Sequence, residues 1–249
     1  MGQKTHDSKR HFASRSEEIA AIVRDEILRG QYRPGERLPS ERDLSARFDS
    51  SRGAVREAFK KLEQLGIASI QPGGARVVAV DDCTLDVLGP LLDLDDLPDA
   101  KLVDEVLQMF GVLMEVAARL AIEKATDEQL AEARDIAMGL EAQTNADIPA
   151  HAALRQLGHF FVEVADHLVL KLIGNGLRMQ FMSRLHDLGV LEEISNAELA
   201  EVAQQLKVAL DNRDAAEVGA AMQRLNRNFR EGASKALASA RYSETRISA

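Results

Sequence analysis

The sequence predicts a mainly α protein built from two parts, and three observations support this prediction. Apolar residues recur every three or four positions over most of the chain, as they do in amphipathic helices. Residues 67–80 instead carry two short β-rich runs joined by a glycine-rich turn. An acidic segment with two prolines follows this hairpin. We expect helices and a small β-hairpin first, then an antiparallel helical bundle of about six helices.

Length and composition indicate an ordinary globular chain. Its 249 residues suit one large domain or two smaller ones, with 45% hydrophobic and 29% charged residues. The apolar runs are far shorter than the ~20 residues that a membrane span needs, and the N-terminus lacks the apolar core of a secretory signal. The single cysteine, Cys83, excludes an internal disulfide and a zinc site made of thiolates. We therefore expect a cytoplasmic protein with no membrane partner.

The first 80 residues are predicted to contain three helices and a hairpin. Residues 1–13 are polar and predict a disordered tail. Ser14 and Glu17 have the spacing of a capping box at the start of a helix that Gly30 ends. Ser40 opens a second helix, and residues 51–65 form a third. "IASIQ" and "RVVAV", joined by "PGGA", then predict the hairpin. Residues 14–80 thus have the element order of a winged helix-turn-helix.

The remainder is predicted to be a linker, a helical domain and a short tail. The acidic linker, with room for one short helix, covers residues 81–99, and the tail covers residues 241–249. Between them, at 100–240, helical patterns predict segments at 100–124, 127–145, 149–166, 168–187, 195–211 and 214–239. Capping boxes support three of the starts: Thr126 with Gln129, Ser195 with Glu198, and Asp214 with Glu217.

Charge is distributed unevenly between the two parts. The whole chain has a net charge of −9, which taken alone argues against a nucleic-acid partner. Residues 1–80, however, carry 15 Lys and Arg against 11 Asp and Glu, a net charge of +4, and the rest of the chain carries −13. Such asymmetry suggests a module that faces nucleic acid, joined to a module that does something else.

The third predicted helix has one apolar and one basic face. Its apolar stripe consists of Val55, Ala58, Phe59, Leu62 and Leu65. Gly53, Arg56 and Lys60 lie on the other face, with Arg52 at its flank. Like charges one turn apart repel by a few tenths of a kcal/mol, so either a partner compensates them or the face is simply solvated. In a DNA major groove, arginines bond guanine edges, the basic face neutralises phosphates and a glycine permits close approach.

The stretch "ILRGQYRPGERLPSERDLSARFDSSRGAVREAFKKLEQLGIASIQPGGARVVAV" resembles the DNA-binding domain of GntR-family transcription regulators over about fifty residues. This resemblance implies DNA contacts at Arg42, Arg52 and Arg56, and wing contacts at Gly73 and Gly74; Ser51 and Gly53 would meet phosphates or base edges. Ala54 departs from the threonine of many members, which puts one phosphate contact in doubt. For Arg42 the alternative is a surface ion pair with Glu41 or Asp43.

The helical domain resembles, more weakly, the effector-binding domain of the FadR-like subfamily, which also forms the dimer. Many members hold a divalent metal there through one Asp and three His. By our alignment those positions are Arg155, His159, Ala203 and Leu225, of which only the histidine could ligate a metal. We therefore expect no metal and no cofactor, and the family's effector-clamping arginine falls near Gly111.

The same positions suggest where an effector would bind. His151, Arg155 and His159 lie one turn apart on the face opposite the apolar residues of their helix. This stripe is either solvated or lines an effector cavity, where the guanidinium of Arg155 would supply the positive charge that a metal supplies in relatives. Arg178 and Gln108 are weaker effector-binding candidates, with surface exposure as their alternative.

These observations favour a regulator over an enzyme. The sequence has no nucleophile elbow, P-loop or HExxH motif, and Cys83 lies in an acidic segment that disfavours a thiolate. We expect a homodimer that binds pseudo-palindromic double-stranded operator DNA and responds to a small-molecule effector, an organic acid or acyl-type metabolite that releases repression. The alternatives are a constitutive DNA-binding dimer whose sensor site has decayed, and a helical metabolite-binding or interaction module that does not read DNA.

Overall fold

The computed structural model describes residues 14–143, 151–187 and 196–247. These residues form two compact units that divide between Leu94 and Asp95. The predicted tail at 1–13 and the predicted cap at Ser195 lie outside the described residues.

Three helices and a hairpin form the first unit, in the order that the sequence predicts. The helices are α1 (Arg15–Leu28), α2 (Glu41–Arg47) and α3 (Arg52–Gln64), and the strands are β1 (Ala68–Gln71) and β2 (Gly74–Val77). Ser14 caps α1, because its hydroxyl accepts a hydrogen bond from the backbone N–H of Glu17. The strands pair antiparallel with Gln71 opposite Gly74, so that Pro72 and Gly73 form the tip.

One apolar core holds the first unit together, and α3 contributes a full face to it. Val55 and Leu62 of α3 are completely buried, and Ala58 and Phe59 nearly so. They pack with Ile19 of α1, Leu44 of α2, Ile67, and Ala75 and Val77 of β2 in a single cluster. Because α3 buries this stripe, its opposite face must point to solvent.

Part of the segment predicted to be a linker is folded. Two short 3-10 turns, Val80–Asp82 and Leu85–Val87, lead into helix α4 (Leu88–Leu92). Val87 is buried in the apolar core of the first unit, and Leu91 packs against that core. The apolar residues of "LDVLGPLL" account for this secondary structure, since they find an apolar surface to cover.

Six helices form the second unit, in the part of it that the structure describes. They are α5 (Ala100–Lys124), α6 (Asp127–Gln143), α7 (His151–Ala165), α8 (Leu168–Asp187), α9 (Asn196–Asp211) and α10 (Ala215–Ile247). The capping box at Thr126 and Gln129 is formed in both directions, with N···O distances of 3.0 and 3.3 Å. Asp214 caps α10 by accepting from the backbone N–H of Glu217 at 3.0 Å.

Helix α10 is longer than the sequence pattern indicates. It was expected to end at residue 239, ahead of a tail at 241–249, but it continues to Ile247. After Gly232 the sequence contains no glycine or proline to stop it, and Leu237 anchors it in the interior. Helices α5 and α10 run antiparallel, because Asp104 pairs with Arg230 while Glu115, one helix segment later, pairs with Gln223.

Candidate nucleic-acid interface

The basic face of α3 begins at a well-formed helix cap. Ser51 is the N-cap, and its hydroxyl oxygen accepts a hydrogen bond from the N–H of Ala54 at 3.2 Å. The hydroxyl hydrogen remains available to an outside acceptor. Gly53 is exposed, and a methyl group there would meet only the Ser51 hydroxyl at 3.8 Å. The protein itself therefore does not require a glycine at this position.

The structure places Arg52, Arg56 and Lys60 together on the exposed face of α3. Two carboxylates compensate their mutual repulsion. Arg56 donates from Nε and Nη2 to the two oxygens of Glu41 at 3.0 and 2.8 Å, and Lys60 donates to Glu57 at 2.9 Å. The hydrogen bond from Arg56 lowers the pKa of Glu41 below its ordinary value. The charge of Arg52 also acts on Glu41 and lowers the pKa of that carboxyl further.

Arg42 lies on α2, directly after Glu41, which accepts from Arg56. Its side chain is 78% exposed and makes one long contact, 3.6 Å from Nε to the carboxylate of Asp43. This is the surface pair considered as an alternative to DNA contact. At such exposure an ion pair adds little to the stability of a fold, so the contact leaves the guanidinium accessible to a phosphate.

The wing tip is shaped by two glycines with left-handed backbone angles. Gly73 has φ +104° and Gly74 has φ +128°, which side-chain-bearing residues rarely adopt. Nothing lies within 4 Å of a methyl group built on Gly73, whereas one built on Gly74 would approach Nε of Arg37 to 2.8 Å. The tip is therefore bare at Gly73 and covered by a guanidinium at Gly74.

Sequence reasoning did not assign three residues to this surface. Glu41 was considered only as a partner of Arg42, because it lies fifteen residues before Arg56 and only folding brings those two together. Arg37 and Arg76 escaped notice because residues 35–38 look like a turn after Pro34 rather than part of a sheet. The pairing of Lys60 with Glu57 was readable, because residues three apart on a helix are neighbours.

The four predicted effector-binding residues are all on the outside of the second unit. Gln108 of α5, Arg155 and His159 of α7, and Arg178 of α8 are exposed. Arg178 donates to Asn175 on its own helix at 3.2 Å. Exposure is what the solvated-stripe alternative expects, so the effector assignment stays a prediction. His151, the start of that stripe, has no described side chain.

Two of the four positions that the alignment assigns to metal ligands are apolar and internal here. Ala203 is 2% exposed and Leu225 is 4% exposed, and both belong to the bundle core. Gly111 is also buried, and a methyl group there would lie 2.0 Å from Nδ2 of Asn226. Within the residues whose side chains are described, no group of three His, Cys, Asp or Glu side chains could hold a metal ion.

Cys83 is not poised as a nucleophile. Its thiol donates weakly to the carbonyl oxygens of Gly66 and Ala79, at 3.4 and 3.3 Å. Partial burial, and then the charges of Asp82 and Asp81, raise the pKa of the thiol. The direction agrees with the sequence prediction, although burial is the larger cause.

Comparisons with known proteins match both the DNA-facing unit and a longer stretch of the chain. A profile of the bacterial regulatory proteins of the gntR family matches residues 15–78. The transcriptional regulator Mce2R of Mycobacterium tuberculosis is 30% identical over 169 residues, which cover 66% of this chain and 69% of that protein. The Uxu operon transcriptional regulator of Escherichia coli is 31% identical over 158 residues, 57% of this chain and 58% of that protein.

Other matches span less of the relative or show only the fold. The transcriptional repressor NanR of Cronobacter sakazakii is 36% identical over 135 residues, 53% of this chain and 51% of that protein. The chain thus spans little more than half the length of the Uxu and NanR relatives. The solved structure of Lar, which controls the expression of the Listeria monocytogenes agr system, matches 89% of this chain and 97% of that chain with a TM-score of 0.52. At 16% identity it supports the fold alone.

No helix that the structure describes is both long and apolar enough to cross a membrane.

Proposed function

Because the chain belongs to the GntR family of bacterial regulatory proteins, we propose that it is a ligand-responsive transcription regulator that represses genes until a small metabolite releases it from DNA. It is then a regulator and not an enzyme, and acts in the cytoplasm, where chromosomal DNA is its partner. The observation that carries the proposal is the exposed basic face of α3, on a winged helix inside the segment that matches the family.

Each winged helix would read one half of a pseudo-palindromic operator. Arg52 and Arg56 would bond base edges in the major groove, as arginine does with guanine O6 and N7. Arg42 and Lys60 would hold the backbone, with Ser51 and Gly53 close to phosphates at the start of α3. The wing tip at Gly73 and Gly74, which is bare at Gly73, would approach the minor groove. Two-fold symmetry of the operator requires a two-fold dimer of the protein.

An apolar surface on two adjoining helices supports the homodimer. Met109, Val112 and Val116 are exposed along one side of α5, and Leu168, Val169, Leu172 and Ile173 are exposed at the start of α8. The amino group of Lys124 donates to the carbonyl oxygen of Ala165, so α8 begins beside the end of α5. An exposed apolar surface of this kind is typical of an interface. We propose that a second copy covers it.

Light scattering after size exclusion tests the dimer. We expect a mass of twice 27.3 kDa for the wild type, and a shift to half that mass for Val112→Glu and for Leu172→Glu. Met138→Glu is the matched control, because this side chain is similarly exposed on α6. This interface would be contradicted if the wild type is monomeric, or if both Val112→Glu and Leu172→Glu stay dimeric.

We place the effector site in the helical unit, where Arg155 and His159 with Gln108 and Arg178 would bind an organic acid or acyl-type metabolite. A guanidinium suits a carboxylate because its planar fork can donate two parallel hydrogen bonds. Binding would shift the population between DNA-competent and DNA-incompetent arrangements. A thermal-shift screen of organic acids and acyl thioesters tests this proposal, since a bound ligand raises the melting temperature.

Ala203 and Leu225 give the second candidate, a constitutive DNA-binding dimer with a decayed sensor, because neither can hold the metal of its relatives. A screen without any stabilising compound would favour it. For the DNA function itself, the test is selection of duplexes from a randomised pool by the purified protein. We expect an enriched two-fold sequence, and failure to enrich any sequence would reject DNA reading.

A further inference from the structure

A short segment before α2 pairs with the wing hairpin through an isolated β-bridge. Residues 35–38 run antiparallel to β2: Leu38 N–H donates to Ala75 at 2.9 Å, Val77 N–H donates to Glu36 at 2.9 Å, and Gly35 N–H donates to Val77 at 2.8 Å. This pattern sets Arg37 directly opposite Arg76. Such a pair lies between two hydrogen bonds rather than sharing them, so its Cα atoms are only about 4.5 Å apart.

Both arginines project from the solvent face of this small sheet. Ala75 and Val77, the neighbours of Arg76 on β2, are buried, as is Leu38, the neighbour of Arg37. Because side chains alternate along a strand, the two guanidinium groups occupy the opposite, exposed face. Like charges directly opposite each other destabilise a sheet. In the described part of the chain, neither arginine forms an ion pair with a carboxylate that would relieve this repulsion.

The guanidinium of Arg37 lies beside the wing tip, and that of Arg76 lies at the other end of the paired segments. Arg76 donates from Nη1 to the carbonyl oxygen of Gly35 at 2.8 Å. Arg37 lies against Gly74, where any Cβ would come within 2.8 Å of Nε and 3.2 Å of Nη2. Position 74 therefore requires glycine for two reasons: its backbone is left-handed, and a guanidinium lies over it. In contrast to Arg56 and Lys60, these cations are positioned by backbone groups and not neutralised by acids.

We propose that Arg37 and Arg76 form a phosphate clamp, which binds the DNA backbone flanking the wing and fixes the wing tip over the minor groove. The proposal rests on the proposed DNA-binding function and adds two contacts to it. Each guanidinium group can donate hydrogen bonds to a phosphate, and two bound phosphates would relieve the repulsion between the two arginines. Because phosphates are sequence-independent, the clamp would contribute affinity and register but no base preference.

The test compares variants on two duplexes, one selected from a randomised pool by the wild type and one scrambled from it. Fluorescence anisotropy gives Kd over a series of KCl concentrations for Arg37→Gln, Arg76→Gln and the double variant. Each single change is expected to weaken binding by roughly three- to tenfold on both duplexes and to lower the slope of log K against log salt by about one per protomer. Arg37→Lys keeps the charge and is expected to restore the slope.

Arg227→Gln is the control, because it removes an equal charge from an exposed position of the helical unit. The clamp would be overturned if Arg37→Gln, Arg76→Gln and the double variant all keep the wild-type Kd and salt slope. If Arg52→Ala at the same time no longer binds the selected duplex, the proposed function still stands. A loss of affinity for the selected duplex alone would also overturn the clamp, since that result indicates that the arginines contact bases. If the wild type enriches no sequence from the pool and binds no duplex, the proposed function and the clamp fail together. Circular dichroism melting shows that each variant is folded, and Arg76→Gln and Arg37→Lys keep the test open should Arg37→Gln unfold.

Discussion

The guanidinium of Arg56 is bonded through two nitrogens to the two carboxylate oxygens of Glu41, which joins the middle of α3 to the first residue of α2. The pair is largely solvent-exposed, with 61% of the arginine side chain accessible. An exposed pair of this kind contributes little to the stability of the fold. Its larger consequence is electrostatic: the carboxylate partly cancels a cation on the exposed basic face of α3, until a base or phosphate of the proposed DNA partner replaces it.

We predict that Glu41→Gln increases the affinity for DNA of arbitrary sequence. The substitution removes one negative charge per protomer from the surface that faces the phosphates, so we expect a roughly two- to fivefold tighter Kd for a scrambled duplex at low salt. Specificity should fall at the same time, because the carboxylate no longer orients Arg56. Anisotropy titrations against selected and scrambled duplexes measure both quantities.

Glu132→Gln is the matched control for this prediction, because it neutralises an exposed carboxylate of α6 in the helical unit. It should leave both Kd values unchanged. An unchanged or weaker Kd of Glu41→Gln for the scrambled duplex would show that the pair does not restrain DNA binding.

The basic face of α3 was predictable from sequence, and the carboxylate partner of Arg56 was not. The spacing of Val55, Phe59 and Leu62 fixes which side of the helix is buried, and the structure places the helix at Arg52–Gln64 within the predicted 51–65. The contact of Arg56 with Glu41 depends on how α2 packs against α3, which no local pattern encodes. Similarly, the pairing of Arg37 with Arg76 depends on an extended segment after Pro34 and Gly35 that the sequence pattern does not predict.

The helical unit shows the same division between local and tertiary information. Caps at Thr126 and Asp214 were readable, because each uses residues three apart. The extension of α10 to Ile247 was not predictable. In a helix without glycine or proline, tertiary packing and solvent exposure determine the last residue. Effector positions inferred from relatives turn out to be exposed, which leaves their role to experiment.

We predict that Gly111→Ala destabilises the helical unit. The new methyl group would lie 2.0 Å from Nδ2 of Asn226 on α10, and overpacking of this kind typically costs 1–3 kcal/mol. Urea denaturation followed by circular dichroism measures the loss. Adding Asn226→Ala should recover stability, because it removes the atoms that clash.

Gly139→Ala is the control for this prediction, since a methyl group on that helical glycine meets nothing within 4 Å. We expect it to stabilise the protein slightly, by up to about 1 kcal/mol, through helix propensity. If Gly111→Ala were equally stabilising, the close approach of α5 to α10 at this point would be wrong.

We predict a pH-dependent contribution from Asp104, to which Arg230 donates two hydrogen bonds of 2.7 Å. These bonds hold the pKa of Asp104 below its ordinary value. A carboxyl whose pKa is lower in the folded state than in the unfolded state stabilises the fold above its unfolded pKa, and that stabilisation is lost as the pH falls through the folded value. The pair is partly exposed, so we expect less than about 1 kcal/mol.

Urea denaturation of wild type and Asp104→Asn at pH 7, 5 and about 3 tests this sign. The variant should be less stable at pH 7, and the difference should shrink at the lowest pH, where the wild-type carboxyl begins to protonate. Asp135→Asn, at an exposed position of α6, should show no such trend. A difference that stays constant with pH would mean that the Asp104 charge contributes nothing.

We predict that divalent metals do not stabilise the protein. Ala203 and Leu225 are buried in the bundle core and offer no electron pair, so His159 would be left as a lone ligand. Zn²⁺, Ni²⁺ and Mn²⁺ should leave the melting temperature unchanged, as should EDTA. A rise of several degrees with any of these ions, reversed by EDTA, would show that ligands other than those positions hold a metal.

The most direct test of the account is whether Arg52 and Arg56 carry the sequence preference of the protein. We expect Arg52→Ala and Arg56→Ala each to weaken binding to the selected duplex by roughly ten- to hundredfold, corresponding to 1–3 kcal/mol per bidentate base contact, while affinity for the scrambled duplex falls much less. The selected-to-scrambled ratio of Kd, measured by anisotropy at one fixed salt concentration, is the deciding quantity. If that ratio is the same in the wild type and in both variants, the basic face of α3 does not read DNA.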